Sequence, residues 1–259
     1  LIAGEGKLPA VLVENLPDLP HIASLQGHDP DHLVPDRRFR IEELGTLLAE
    51  FQALGITEVC FAGSIARPRI DTSRIEAATE PLVPRIRAAL EKGDDGALRE
   101  VLSIFEEAGM TIRAAHEFAA ALLPVHGVFT TRKPSSQNER DAARAADVLA
   151  RTGILDIGQS CVVHHGQVLA IEGQFGTDWM LASLENRPDG RGGVFYKAAK
   201  PGQDRRIDLP TIGVDTVARA AKAGLDGLVL EEDGVMVLDL AAVDRAADEC
   251  GLFLWVRTP

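Results

Sequence analysis

The sequence lacks several features that would assign it at once to a class of protein. It has no run of about 18 apolar residues and no basic segment leading into an apolar stretch, so we expect neither a membrane span nor an export signal. It has only 3 cysteines, Cys60, Cys161 and Cys250, and their wide spacing is typical of a reduced compartment rather than of a disulfide framework. These features predict a cytoplasmic protein.

Positive charge is also scarce. Lys and Arg number 27 against 39 Asp and Glu, which gives a formal net charge of -12. Binding to a nucleic-acid backbone depends on many cations, so no nucleic-acid partner is expected. An anionic small molecule would have to be met by a local concentration of cations.

Length and composition predict two globular domains. The 259 residues exceed the usual size of one domain, and 46% hydrophobic with 25% charged residues is globular rather than disordered composition. The chain opens in a strand-like segment that no Met precedes, so we expect a short N-terminal piece before it.

A recurring pattern indicates an α/β fold. Helical segments that end in Gly are followed by short apolar strands, predicted at residues 57–62, 111–114, 154–157, 228–230 and 252–256. The glycines expected in the left-handed position after each helix are Gly55, Gly109, Gly153, Gly224 and Gly251. We expect a Rossmann-like α/β domain over residues 1–130 and a mixed α/β domain with hairpins over residues 131–259.

The second half predicts two hairpins and several helix starts. Residues 160–163 and 167–171 flank His165-Gly166, and residues 235–238 are expected to pair with 228–230. Ser136 with Glu139 predicts a capping box for a helix that runs to about Arg151. Asp215 fits the N-cap of a helix through residue 223.

The opening Gly4-Glu5-Gly6-Lys7-Leu8-Pro9 lies between a predicted strand and a helix, where backbone amides and the helix N-terminus favour an anion. A tight turn without a ligand is the alternative. Pro9 replaces the third glycine of a dinucleotide-binding motif, which disfavours a nicotinamide oxidoreductase. None of the 7 histidines has zinc-ligand spacing, and only His116-Glu117, after a strand, remains a lesser candidate for ligand contact.

Residues 187–208 form a cationic segment in this acidic chain, since the segment contains six Lys or Arg residues and three Asp residues. Asp204, Arg206 and Asp208 alternate, so in an extended chain their side chains point to one side. Hydrolysis of a diphosphate needs this mixture, because carboxylates hold a divalent metal or orient water while cations neutralise phosphate oxygens. A solvated, salt-bridged loop is the alternative. The cations are Arg187, Arg191, Lys197, Lys200, Arg205 and Arg206.

Two further carboxylates are lesser candidates for metal binding. Glu172 ends a predicted strand, and Asp178 follows Gly176-Thr177 at the start of a predicted helix over residues 179–184. Capping of that helix by Thr177 or Asp178 is the alternative.

Five segments in order carry a resemblance to a known family: Leu1-Ile2-Ala3-Gly4-x-Gly6-x-Leu8-Pro9, Ala62-Gly63-Ser64-x-x-Arg67-Pro68, Asp156-Ile157-Gly158-Gln159, Gly176-Thr177-Asp178 and Lys200-Pro201-Gly202-Gln203-Asp204-x-Arg206-x-Asp208-x-Pro210-x-Ile212-Gly213. Together they resemble the LpxI-type UDP-2,3-diacylglucosamine pyrophosphatases. The resemblance spans essentially the whole chain, and the order and number of the motifs make it specific.

The resemblance implies Mg²⁺-dependent hydrolysis of UDP-2,3-diacylglucosamine to UMP and 2,3-diacylglucosamine 1-phosphate (lipid X), in the lipid A pathway of Gram-negative bacteria. It implies two domains with the lipid product between them and transient contact with the inner-membrane surface; the oligomeric state stays open. It also implies a catalytic carboxylate in the C-terminal half, which we place at Asp208 first, Asp204 second and Asp215 third. A non-catalytic protein that binds a sugar nucleotide or lipid is the alternative function.

The remaining roles follow from this assignment. Asp204 and Asp208, with Glu172 and Asp178 as further candidates, are expected to bind Mg²⁺. Arg206 is expected to stabilise charge on the phosphate. The residues expected to bind substrate are Gly4, Gly6, Arg67, Gln159, Thr177, Lys197 and Lys200. Candidates for an acyl-chain groove, with ordinary core as the alternative, are Phe175, Trp179, Met180 and Phe195.

Overall fold

The computed structural model describes residues 1–66, 69–90, 94–188 and 190–259. These residues form two units, one of Leu1–Ala119 with Asp204–Asp208 and one of Ala120–Gln203 with Leu209–Pro259, which we call the N-terminal and C-terminal units. None of the helices among these residues is both long and apolar enough to cross a membrane.

The N-terminal unit is built on a parallel sheet. Its strands are β1 (Ile2–Ala3), β2 (Ala23–Leu25), β3 (Arg37–Phe39), β4 (Glu58–Ala62) and β5 (Thr111–Arg113), and its helices are α1 (Leu8–Asn15), α2 (Leu44–Ala53), α3 (Val83–Leu90), α4 (Asp94–Glu107) and α5 (Ala115–Phe118). The strand order is β3-β2-β1-β4-β5 with parallel pairing throughout. This is the order of a Rossmann-type half, in which the strand order reverses between β1 and β4.

The core of this unit follows from the helical periodicity of the sequence. Leu44, Leu47, Leu48 and Phe51 lie on one buried face of α2, and Phe105 of α4 packs against the same cluster. Gly55 and Gly109, each just past a helix, have positive φ, as expected.

The C-terminal unit is a mixed α/β layer structure. Its strands are β6 (Gly127–Val128), β7 (Ser160–His164), β8 (Gln167–Ile171), β9 (Val194–Lys197), β10 (Thr211–Ile212), β11 (Gly227–Glu231), β12 (Met236–Val237) and β13 (Phe253–Arg257), and its helices are α6 (Ser136–Gly153), α7 (Gly176–Ser183), α8 (Val214–Lys222) and α9 (Leu240–Glu249). Six strands form one sheet in the order β6-β13-β11-β9-β7-β8. Strands β9, β11 and β13 run parallel, whereas β7 and β8 form the predicted antiparallel hairpin.

Alternation along β9 separates two apolar layers. Phe195 packs with side chains of α7, α8 and α9, while Val194 and Tyr196 pack with side chains of α6. Because successive strand residues point to opposite faces, Lys197 points to the α7–α9 side of the sheet. The prediction of an α/β fold is confirmed, and the predicted hairpin of β7 and β8 is present.

Asp226 ties several elements of the C-terminal unit together just before β11. Its carboxylate accepts hydrogen bonds from Arg132 Nη2 at 2.7 Å, from the Gly193 amide at 2.9 Å and from Asn138 Nδ2 at 3.1 Å. Burial alone would raise the pKa of Asp226, but these hydrogen bonds outweigh it and hold the pKa below its ordinary value.

Three local predictions for the C-terminal half were wrong. Residues 154–157 form a turn after α6 rather than a strand, since their apolar side chains Ile154 and Leu155 are exposed and find no sheet to pair with. Gly153 is the last residue of α6 and not a left-handed residue after it; a Cβ there would lie 2.6 Å from Cδ of Pro201, so close packing explains this glycine. The segment 235–238 contributes β12, which pairs in parallel with β10 and not with β11.

The starts of α6 and α8 were predicted to within two residues, whereas α7 begins at Gly176, three residues before the predicted start. Ser135, not Ser136, caps α6: its Oγ accepts from the Asn138 amide at 3.2 Å, and Asn138 Oδ1 accepts from the Ser135 amide at 3.0 Å. The N-cap of α8 is Gly213, so Asp215 lies in the first turn of that helix and is not its cap.

Candidate functional site

Pairing in the C-terminal sheet brings three polar side chains to one edge. Lys197, the last residue of β9, lies directly opposite Ser160, the first residue of β7. Glu172 follows β8, and its amide donates to the Ser160 carbonyl at 2.9 Å. Directly paired residues point to the same face of a sheet. Lys197, Ser160 and Glu172 therefore meet at the edge where parallel strands β9, β11 and β13 have their carboxyl ends, the usual ligand edge of α/β sheets.

These residues form a hydrogen-bonded group with the start of α7. Lys197 Nζ donates to Thr177 Oγ1 at 2.6 Å, and Ser160 Oγ donates to Glu172 Oε2 at 2.7 Å. The Gln159 amide donates to the same Glu172 oxygen at 3.3 Å. Lys197 Nζ lies 3.8 Å from Glu172 Oε2, which is within ion-pair range but longer than a hydrogen bond. We call these five residues the lysine cluster.

Burial sets the electrostatics of the lysine cluster. Lys197 is 5% exposed and Ser160 is fully buried. Burial lowers the pKa of Lys197, and the charges of Glu172 and Asp178 oppose this shift. A charged ammonium in a buried site is unfavourable unless an anion or hydrogen-bond acceptors compensate its charge.

Other predicted residues of the C-terminal unit have partners of their own. Lys200 Nζ donates to Asp156 Oδ1 at 2.5 Å. Asp178 Oδ1 lies 3.1 Å from Arg219 Nε, and the Asp178 side chain is 62% exposed. Asp178 therefore forms a surface ion pair.

The turn 204–208 belongs to the N-terminal unit, although it lies between C-terminal elements in sequence. Ile207 packs against the N-terminal core. The amides of Ile207 and Asp208 both donate to the Asp204 carbonyl, at 3.3 and 3.2 Å. The prediction of an extended segment was therefore wrong. Asp204 Oδ1 accepts from the Arg206 amide at 3.1 Å, and such a local side-chain bond favours a turn over an extended chain.

Arg206 is bound by two carboxylates. Its Nε and Nη2 donate to the two oxygens of Asp204 at 3.0 and 2.7 Å, and its Nη1 donates to Glu106 Oε1 at 2.6 Å. The hydrogen bonds from Arg206 hold the pKa of Asp204 below its ordinary value, and the two carboxylates raise the pKa of Arg206. Both oxygens of Asp204 thus already have a cationic partner.

The opening loop lies at the point where the N-terminal strand order reverses. The amides of Gly4 and Glu5 donate to the carbonyls of Ala62 and Ser64, both at 2.8 Å, and the Ser64 amide returns a bond to the Glu5 carbonyl at 2.9 Å. A Cβ on Gly4 would lie 2.5 Å from the Ser64 carbonyl oxygen. Gly63 has φ +94°, and a Cβ there would lie 2.5 Å from the Gly4 carbonyl oxygen. Close backbone approach therefore explains these two glycines, and two of the loop amides are engaged within the protein.

The remaining candidates in the N-terminal half are Gly6, Glu117 and Arg67. Gly6 has φ +94°, which favours glycine at that position. Glu117 caps α5, since its carboxylate accepts from the Ala114 amide at 2.8 Å and from Arg113 Nε at 2.7 Å. Arg67 lies outside the described residues.

Metal binding requires carboxylates that are not committed to cations. Within the described ranges, no group of three or more His, Cys, Asp or Glu side chains is arranged to hold a metal ion. Asp204 is engaged by Arg206, Asp178 by Arg219, and Glu172 lies beside Lys197. These three carboxylates do not fit a preformed magnesium site, although Mg²⁺ is commonly bound by one or two carboxylates together with substrate phosphates.

The acyl-groove candidates separate by exposure. Met180 is 2% exposed and Phe195 fully buried, so both belong to the core. Phe175 and Trp179 are 70% and 60% exposed, and their ring centroids lie 5.3 Å apart. Two exposed, neighbouring aromatic side chains are available for an apolar partner.

The structure thus divides the predicted site residues between units. It brings Thr177, Lys197, Glu172 and Gln159 together in the C-terminal unit and places Asp204–Asp208 in the N-terminal unit. Sequence reasoning missed Ser160 and Glu106 as partners of this chemistry. A serine that opens an otherwise apolar strand was a usable signal for Ser160, whereas nothing in the sequence relates Glu106 to a turn near residue 206.

Comparison with known proteins assigns both halves of the chain to one family. Residues 1–122 match the family model described as the LpxI N-terminal domain, and residues 125–255 match the LpxI C-terminal domain. A relative from Caulobacter vibrioides, named UDP-2,3-diacylglucosamine pyrophosphatase LpxI, is 39% identical over 266 residues, which covers 98% of this chain and 95% of that protein. The chain, with its Rossmann-type N-terminal unit and mixed C-terminal sheet, belongs to the LpxI family.

Proposed function

We propose that this protein hydrolyses the diphosphate of UDP-2,3-diacylglucosamine to UMP and lipid X, a step of lipid A synthesis. The observation that carries the proposal is the 39% identity, over 98% of the chain, to a relative named as a pyrophosphatase of that substrate. A buried ammonium at the ligand edge of the C-terminal sheet supports it, because a diphosphate is an anion that such a group would neutralise.

The residues of the chain take the following proposed roles. Lys197 and Thr177 bind a phosphoryl group, with Gln159 and Glu172 holding them in place. Asp208 is the carboxylate that orients the attacking water, ahead of Asp204, whose two oxygens are engaged by Arg206. Asp215 is the third choice, since it lies in the first turn of α8.

We also propose that the activity depends on Mg²⁺. When bound to a diphosphate, the ion lowers the charge on the phosphate oxygens. Because the carboxylates of Asp204, Asp178 and Glu172 lie beside cations, the substrate diphosphate would supply part of the coordination of the ion, and we propose that Asp208 would contribute a carboxylate. Removal of divalent ions with EDTA is expected to stop product release, and added Mg²⁺ to restore it. Full activity in EDTA would contradict this part of the proposal.

The acyl chains require an apolar partner. We propose that the exposed pair Phe175 and Trp179 contacts them, and that the protein works in the cytoplasm with transient contact at the inner-membrane surface. Trp179→Ala is expected to raise KM for the diacylated substrate several-fold with little change in kcat. Unchanged KM would contradict the role of this pair.

Product analysis tests the proposed reaction. Purified protein is incubated with UDP-2,3-diacylglucosamine and Mg²⁺, and the products are separated and identified by mass. UMP and lipid X in equal amounts are expected. UDP with the free sugar lipid would show that a different bond is cleaved and would overturn the proposal.

A further inference from the structure

The ammonium of Lys197 has more donors than acceptors around it. A lysine ammonium carries three N–H donors and no acceptor. Among the residues that the structure describes, Thr177 Oγ1 at 2.6 Å accepts a hydrogen bond from it, and Glu172 Oε2 at 3.8 Å is too distant to do so. A group that is 5% exposed thus retains donors for a further acceptor. Buried polar groups are nearly always hydrogen-bonded, so this arrangement points to a ligand.

The hydrogen bonds of the lysine cluster have a fixed direction. Lys197 can only donate, so Thr177 Oγ1 accepts from it. The single hydroxyl proton of Ser160 is donated to Glu172 at 2.7 Å. In the 3.5 Å contact between Ser160 and Thr177, the donor is therefore Thr177. The chain of donors runs from Lys197 through Thr177 and Ser160 to Glu172, whose carboxylate also lies within ion-pair range of the ammonium at 3.8 Å.

We propose that Lys197 and Thr177 receive a phosphoryl group of the substrate, and that Ser160 and Glu172 are positioning residues that hold the ammonium in the geometry this requires. The inference rests on the proposed function only for the identity of the anion as a diphosphate. Thr177 lies in the first turn of α7, where the helix dipole also favours an anion. An arriving phosphate accepts the spare N–H bonds of Lys197, and the long Thr177 to Ser160 contact is exchanged for a bond from Thr177 to the phosphate.

The effect on stability of replacing both Lys197 and Glu172 distinguishes a role in substrate binding from a role in the fold. A buried ion pair is often no more stabilising than apolar side chains of similar volume, whereas removal of one partner alone leaves an uncompensated charge. If the pair Lys197 and Glu172 serves the fold, replacing both is destabilising. If it serves the substrate, the double variant Lys197→Met/Glu172→Gln keeps the wild-type melting temperature and loses activity.

Binding of inorganic pyrophosphate, measured by calorimetry on the full chain, tests the anion contact without turnover. Lys197→Met is expected to weaken pyrophosphate binding by about 10- to 100-fold, the value of hydrogen bonds to a charged group. Lys222→Met is the matched control, because Lys222 is exposed at the end of α8. Equal binding by wild type and Lys197→Met, or none by wild type, overturns the inference.

Kinetics on UDP-2,3-diacylglucosamine test the positioning residues. Ser160→Ala is expected to lower kcat by about tenfold with little change in KM, since the ammonium is displaced but not removed. Ser183→Ala is the control, because Ser183 Oγ donates to the Met180 carbonyl at 2.7 Å and lies outside the lysine cluster. Unchanged kcat in Ser160→Ala overturns the positioning role.

The two failures are distinguishable. A wild type that binds pyrophosphate through Lys197 but releases no UMP refutes the proposed function and leaves the anion site standing. A wild type that releases UMP while Lys197→Met/Glu172→Gln does so with equal kcat/KM refutes the anion site and leaves the proposed function standing.

Discussion

Asp204 and Asp208 lie in one turn, and their proposed roles predict different consequences for their replacement. Asp204 binds the guanidinium of Arg206 through both oxygens, so it holds the turn together. Asp208 is the carboxylate proposed for chemistry. Asp204→Asn is therefore expected to lower stability with partial activity retained, and Asp208→Asn is expected to abolish activity.

The magnitudes follow from exposure. The Arg206 side chain is 39% exposed and that of Asp204 18%, so solvent screens the pair and its charge contributes about 1 kcal/mol. For a chain of this size that corresponds to a melting temperature about 2–4 °C lower. Loss of a carboxylate that orients water typically lowers kcat by about 100-fold or more.

Thermal unfolding and UMP release are measured on both variants and wild type in parallel. The stability loss of Asp204→Asn is expected to shrink in 1 M salt, because the pair is partly exposed. A stable but inactive Asp204→Asn beside a fully active Asp208→Asn would refute the assignment of roles within the turn.

Three further predictions concern the fold. Gly63→Ala is expected to destabilise by at least about 2 kcal/mol in urea unfolding, because its Cβ would lie 2.5 Å from the Gly4 carbonyl oxygen at positive φ; wild-type stability would contradict this. Ser135→Ala is expected to cost about 1 kcal/mol by loss of the α6 cap, and an equal loss from Ser136→Ala instead would show that the cap is misassigned. The carboxylate of Asp226 has a folded pKa below its unfolded value, so it stabilises fully above about pH 3.9, and that contribution is lost as pH falls through the folded pKa. The stability difference between wild type and Asp226→Asn should therefore narrow in acid, and a constant difference down to about pH 2 would refute the linkage.

Much of the fold was predictable because it follows from local sequence patterns. The buried faces of α2 and α4 and the hairpin around His165-Gly166 follow from periodicity and turn chemistry. So do four of the five glycines predicted to be left-handed after a helix: Gly55, Gly109, Gly224 and Gly251. The strand predicted at residues 154–157 was wrong because an apolar run predicts burial, whereas here the side chains of Ile154 and Leu155 are exposed.

The site was less predictable because its partners are distant in sequence. Thr177 and Lys197 were identified as candidates, but their contact depends on sheet register and on the position of α7. Asp204 and Arg206 were identified, but the alternation of polar residues suggested an extended chain, and a side-chain bond to the backbone favours the observed turn. Sequence spacing identifies the residue types of a site better than its geometry.

The identity of the substrate comes from the family relationship and not from the local chemistry of the site. The lysine cluster supports an anion of the phosphate class, while the acylated nucleotide sugar is taken from the relative that is 39% identical. A protein that only binds this ligand would retain the same cluster.

A single-turnover experiment with wild-type protein in excess over labelled UDP-2,3-diacylglucosamine, in the presence of Mg²⁺, tests the central claim most directly. All bound substrate is expected to be recovered as UMP and lipid X, while Asp208→Asn retains the substrate intact. Recovery of intact substrate from the wild-type protein would contradict the claim that this member of the LpxI family is a pyrophosphatase.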